Sequence, residues 1–94
     1  MRSIMQDEKV CFLCGSRASD LEEHHVFGGT ANRKLSEKYG LKVYLCGDRC
    51  HRNGKQAVHR NKEVALWLKT KTQQKFEEVY PEEDFLSIFG RNYL

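Results

Sequence analysis

The apolar positions of this chain change their period along its length. Leu41-Lys42-Val43-Tyr44-Leu45 alternates apolar and other side chains and includes β-branched and aromatic members, the pattern of a strand. Residues 21–27, closed by Gly28-Gly29, predict a second short strand. Between them, residues 31–39 predict a short helix that ends at Gly40 as its C′ residue. Farther on the period becomes helical, with Val64, Leu68, Thr72, Phe76 and Val79 in one stripe, widened by Ala65 and Trp67. Asn61 suits the N-cap of this helix, and Glu63 suits the positive end of its dipole. The helix is expected to end near Tyr80. Pro81 then opens a second short helix, with Glu82, Glu83 and Asp84 in its first turn, Phe85, Leu86 and Phe89 on its apolar face, and Gly90 as its stop. Such stripes read as core, which makes Trp67 and Phe76 scaffold residues.

The rest of the chain lacks this periodicity. Residues 1–10 read as a loose leader. Residues 47–58 are polar and irregular, with a helical turn near 49–52. The expected architecture is α+β in one domain: the leader, a core over 11–61, and C-terminal helices over 62–94. A length of 94 residues excludes barrel and doubly wound enzymes. It also limits the core, so an added staple is expected. No apolar run approaches the roughly 20 residues that span a bilayer. No secretory signal is visible in the first ten residues, so a cytoplasmic location and no membrane partner are expected. In that compartment paired cysteines bind metal more often than they form disulfides.

The cysteines supply the staple. They fall as Cys11-x2-Cys14, a long gap, then Cys46-x3-Cys50. Two close pairs far apart in sequence are what a tetrahedral Zn²⁺ site requires, and four soft thiolates close its shell, so this site is expected to be structural. Four free thiols or two disulfides are the alternatives. His51, directly after Cys50, is an alternative fourth ligand.

The histidines cluster near these cysteines. His24 and His25 are adjacent on the first predicted strand, His51 abuts the second cysteine pair, and His59 precedes the long helix. Neighbours on a strand point to opposite faces, so His24 and His25 have different tasks unless the strand bends. One imidazole can bind a metal while the other takes a proton from water. His51 can join His24 at an open metal site. Its separation from His59 exceeds one helical turn, so a loop around 53–55 must fold back.

Charge adds one feature. The net charge is only +3, but residues 41–62 hold Lys42, Arg49, Arg52, Lys55, Arg60 and Lys62 against Asp48 alone. A basic segment in a small domain is compatible with a polyanion partner, but charge alone favours an ordinary solvated surface.

Taken together, Cys11-Phe12-Leu13-Cys14, Glu22-Glu23-His24-His25-Val26-Phe27-Gly28-Gly29 and Val43-Tyr44-Leu45-Cys46-Gly47-Asp48-Arg49-Cys50-His51 resemble the HNH endonucleases. The stretch through residues 33–39 and on to 57–61 is similar to small phage and prophage HNH proteins and to the phage recombination-enhancement family of RecA-dependent nucleases. The resemblance implies a small ββα-metal fold with a structural zinc knuckle. It implies metal-dependent DNA hydrolysis, most simply nicking. His24 matches a ligand of the catalytic cation, Mg²⁺ or Mn²⁺. His25 matches the general base, His51 a second metal ligand, and His59 a further ligand or a phosphate contact. Arg49, Arg52, Lys55 and Arg60 would hold the DNA backbone. The implied setting is a bacterial host cell, with a phage or host recombination or packaging protein as a further partner.

One position departs from the family. An Asn usually stands at or just before the second strand and orients the base, whereas residues 39–43 read Tyr-Gly-Leu-Lys-Val. A strand carbonyl or Asn61 is left to hold His25. Two other readings stand beside this one: a non-catalytic zinc module that binds nucleic acid and dispenses with His25, and a phage adaptor acting by protein contact. The His24-His25 pair together with His51 argues against the first of these.

Overall fold

A computed structural model describes residues 2–94. The elements run β1 (Leu21–His25), α1 (Thr30–Tyr39), β2 (Lys42–Cys46), a single wide helical turn at Gly47–Arg52, α2 (Lys62–Val79) and α3 (Phe85–Phe89). The fold is therefore mixed α and β, around one antiparallel pair in which Leu21 faces Cys46 and His25 faces Lys42.

β2 is the centre of the sheet in all but name. β1 covers one of its edges. On the other side the amide of Phe12 donates to the Tyr44 carbonyl (2.8 Å), and the Tyr44 amide donates to Oε1 of Gln6 (2.8 Å). The leader is thus not loose. It is held along β2 by scattered hydrogen bonds and by partly buried Ile4 and Met5, which leave no periodic trace in the sequence. Gly40 makes this packing possible. Its φ is +72°, and a Cβ there would lie 2.3 Å from the Arg2 carbonyl oxygen.

β1 stops two residues short of the expected strand. Val26 and Phe27 are both buried, and consecutive side chains cannot share one face of a pleat. The chain turns there, with the Val26 amide still donating to the Leu41 carbonyl (3.0 Å).

α2 begins where expected. Asn61 Oδ1 accepts the amides of Glu63 and Val64 (3.0 and 3.1 Å). Leu68, Thr72 and Phe76 are buried along the predicted stripe. Val79 is not part of it. A spacing of four carries the stripe to Tyr80, whose hydroxyl donates to the Tyr39 carbonyl (3.3 Å), and Val79 is 42% exposed. Trp67 is likewise only at the margin, 46% exposed and leaning on Phe12 (6.2 Å between ring centroids).

The second short helix also starts later than expected. Pro81 lies in a turn closed by the Glu83 amide on the Tyr80 carbonyl (3.0 Å). Asp84 is the N-cap of α3, accepting from the Ser87 hydroxyl (2.9 Å), so the acids lie before the helix and not inside it. Leu86 is exposed, while Phe85 and Phe89 close an aromatic cluster with Phe27 and Phe76. Among the described residues no helix is long and apolar enough to cross a membrane.

Phe76 is fully buried and touches Tyr39, Tyr80, Phe85 and Phe89. Phe76→Ala is expected to cost about 3–5 kcal/mol in urea unfolding, whereas Leu86→Ala, on the exposed side of α3, should change stability by less than about 0.5 kcal/mol.

Candidate functional site

Two clusters lie at opposite ends of one short turn. The first is built of sulfur. The Cys11–Cys14 turn and the Cys46–Cys50 turn meet so that all four Sγ atoms lie within 4.8 Å of one another. All four thiols are free, and Cys14 and Cys46 are 3.6 Å apart, too far for a disulfide. Sulfurs about 2.3 Å from a common ion at tetrahedral corners are about 3.7 Å apart, so the set fits Zn²⁺. His51 is not the fourth member; Cys50 is.

Ionisation is uneven across these thiols. Burial, then hydrogen bonding with Cys11 and Cys14, pushes Cys50 up to about 12. Burial also opposes ionisation of Cys14, but hydrogen bonds from the Ser16 backbone and the other three thiols outweigh it and bring Cys14 down to about 6. Arg49 faces two of the sulfurs, with Nη2 3.2 Å from exposed Cys14 and 3.5 Å from buried Cys46. Although exposed, its guanidinium is thus engaged with the thiols and offsets thiolate charge there.

The second cluster is built of imidazoles. His24 comes from β1, His51 from the wide turn and His59 from the loop before α2, and their ring nitrogens also lie within 4.8 Å of one another. Two backbone bonds bring the last two together: the Val58 amide to the Cys50 carbonyl (3.0 Å) and the His59 amide to the His51 carbonyl (3.1 Å). The expected fold-back is made by Gly54, where a Cβ would sit 1.9 Å from the Arg49 carbonyl oxygen. Nε2 of His51 and Nε2 of His59 are 3.0 Å apart. Two ligand atoms about 2.1 Å from one ion have about this separation when adjacent in its shell, so the three rings fit a divalent cation.

The protonation states suit that task. Burial first, then the positive charge of His51 and His59, lowers His24 to about 4. Its ring carries no hydrogen bond from any described residue. Nδ1 of His51 is 2.8 Å from Oε1 of Glu22. Arg52, through a pair of bonds at 2.6 and 2.7 Å, and then His51 hold the Glu22 carboxyl down to about 2. An ionised carboxylate facing Nδ1 fixes the proton there and leaves the Nε2 lone pair directed at His59. Glu22 was legible only as the residue two before His24, hence on the same face of a strand.

His25 lies on the other face of β1, as the pleat requires. Its Nε2 is 3.1 Å from Oε2 of Glu37 on α1, with Glu23 4.0 Å away. Lys42 binds Glu37 through contacts of 3.0 and 2.9 Å. Hydrogen bonds from Lys42 and then from His25 hold the Glu37 carboxyl down to about 2. Asn61 is spent on capping α2 and on Lys55 and Gln56, so it does not reach His25. The group that holds the ring is a carboxylate from α1, which pattern reading passed over because Glu37 stands on the polar side of a short helix.

A cleft of about 510 Å³ is lined by His24, His51 and His59 and also by His25, which ends β1. The four cations expected to face a polyanion are elsewhere. Arg49 is on the thiols, Arg52 on Glu22, and Arg60 donates to the Asn53 carbonyl (2.8 Å); Lys55 does not line the cleft. The cations that do line it are Arg33 of α1 and Lys69 of α2. Comparison with family models, curated proteins and solved structures finds no match to this chain.

Glu22 gives this site a pH signature. Its carboxyl is near 2 in the folded chain and in the ordinary carboxylate range when unfolded, so between those values the unfolded chain binds more protons. Its contribution is complete above about 4.5 and is lost as pH falls toward about 2. Glu22→Gln should therefore flatten the stability-against-pH curve in that window, measured by urea midpoints at stepped pH.

Proposed function

We propose that this chain is a metal-dependent endonuclease of the HNH type, with a ββα-metal core, acting on the phosphodiester backbone of DNA. The observation that carries the reading is the convergence of His24, His51 and His59, from three separate segments, on a cleft that His25 also lines. A non-catalytic binding module has no use for an imidazole triad braced by Glu22, nor for a fourth imidazole oriented separately beside it.

The geometry supports the following roles. Ionised Glu37 faces Nε2 of His25, which fixes the proton on that nitrogen and leaves the Nδ1 lone pair open. Nδ1 takes a proton from water; the water oxygen attacks phosphorus, and the bond to the 3′ oxygen breaks. His24, His51 and His59 would hold Mg²⁺ or Mn²⁺, which supplies Lewis-acid stabilisation of charge on the phosphate and the leaving oxygen. Glu22 keeps His51 in the ligating tautomer. Cys11, Cys14, Cys46 and Cys50 would hold a structural Zn²⁺ that fixes the wide turn and so sets the position of His51.

Nicking of supercoiled plasmid with added Mg²⁺ or Mn²⁺ tests the reading. His25→Ala should lose about 10²- to 10⁴-fold in rate and Glu37→Ala about 10- to 100-fold. Equal nicking by wild type and His25→Ala, or none by wild type with either ion, overturns it. Metal analysis of the purified protein should return one zinc per chain, and Cys46→Ser should lose that zinc together with cooperative unfolding.

A further inference from the structure

We propose that Arg33 and Lys69 form the phosphate grip of this cleft and hold the DNA strand on either side of the phosphodiester presented to the histidines. The inference rests on the reading of the cleft as a DNA site and replaces the basic segment 41–62 as the source of backbone contacts.

Its basis is which cations are already committed. In segment 41–62, Lys42 is bound by Glu37 and Glu23, Arg49 by two sulfurs, Arg52 by both oxygens of Glu22, and Arg60 by a carbonyl. A cation with a carboxylate already in contact must give up that partner before it can take a phosphate, so it adds little to binding. Arg33 and Lys69 have no such partner. The Arg33 guanidinium is exposed and makes no hydrogen bond or ion pair with any described residue, although its backbone amide is held in α1 by the Gly29 carbonyl (2.8 Å). Lys69 is half-buried, 5.6 Å over the Tyr93 ring, with no carboxylate in contact. It lines the same cleft as His24, His51 and His59, which places it beside the imidazoles. The acid on the cleft wall, Glu23, is itself matched by Lys42 at 3.4 Å. The wall thus carries two uncommitted cations from two helices and no uncommitted acid.

The chemistry of the two side chains suits a polyanionic strand. The guanidinium can grip a phosphate with two donors, whereas the ammonium acts as a point charge held in place by the tyrosine face. Both helices are fixed by the core, α1 through Tyr39 and α2 through Leu68 and Thr72, so the grip is preformed.

The test is DNA binding, measured apart from cleavage. A fluorescent B-form duplex is titrated with the full-length His25→Ala protein, without added divalent ion, from 50 to 200 mM salt, and the slope of log affinity against log salt is read. Arg33→Gln and Lys69→Gln should each weaken binding about tenfold and each reduce the slope by about 0.9. Arg60→Gln should leave the slope unchanged. Unaltered slopes in Arg33→Gln and Lys69→Gln, or a slope lost in Arg60→Gln alone, overturn the grip and leave the nuclease reading intact. The predicted slopes in a protein whose wild type never nicks plasmid uphold the grip and end the nuclease reading. Absence of duplex binding by the parent protein overturns both.

Discussion

The pleat of β1 is the constraint on which the site depends. Successive side chains of a strand point to opposite faces, so Glu22 and His24 are on one side and Glu23 and His25 on the other. On the first side Glu22 meets His51 and Arg52, and His24 meets His51 and His59. On the second, His25 and Glu23 meet Glu37 and Lys42. Two adjacent histidines are thereby given different partners. A one-residue slip against β2 would exchange every one of these contacts. The register is held by what lies on β2 itself: Val43 and Leu45 are buried, and so is Cys46, which belongs to the thiol cluster.

The sulfur cluster and the imidazole cluster are coupled through six residues. Cys46 ends β2, Cys50 closes the wide turn, and His51 follows it directly. Any force that fixes Cys50 against Cys11 and Cys14 also fixes His51. The aromatic cluster of Phe27, Phe76, Phe85 and Phe89 lies elsewhere and holds α2 and α3 to the sheet. A domain this small has no second layer to position the turn, and the thiols take over that role. The loop from His51 to His59 then needs only two backbone hydrogen bonds and Gly54 to bring its ends together.

Local chemistry made part of this legible beforehand. Gly40 ends α1 because only a residue without a Cβ is comfortable at its φ, and Asn61 caps α2 through the two amides an N-cap is known to satisfy. The cysteine spacing and the four histidines marked the site, because those residue types are rare and close pairs are informative. What stayed hidden were carboxylates and cations whose role is set by a partner distant in sequence. Glu22 and Glu37 look like any surface acid until His51 and His25 are brought to them. Arg49 and Arg52 look like phosphate contacts until the sulfurs and Glu22 are seen. The leader was hidden for a similar reason, since Ser3 and Gln6 are bonded to β2 and Ile4 to Gly40 through single bonds without any repeat.

Net charge is a poor guide to partners in such a chain because it counts committed and uncommitted ions alike. Segment 41–62 looks basic, yet four of its six cations are bound within the fold: two by acids from outside the segment, one by sulfurs and one by a backbone carbonyl. The electrostatic field over the cleft is set by what remains, and that depends on three-dimensional pairing. Arg33 and Lys69 come from outside that segment, and both line the cleft beside the imidazoles. The field over a cleft depends in this way on where the acids lie as much as on where the bases lie.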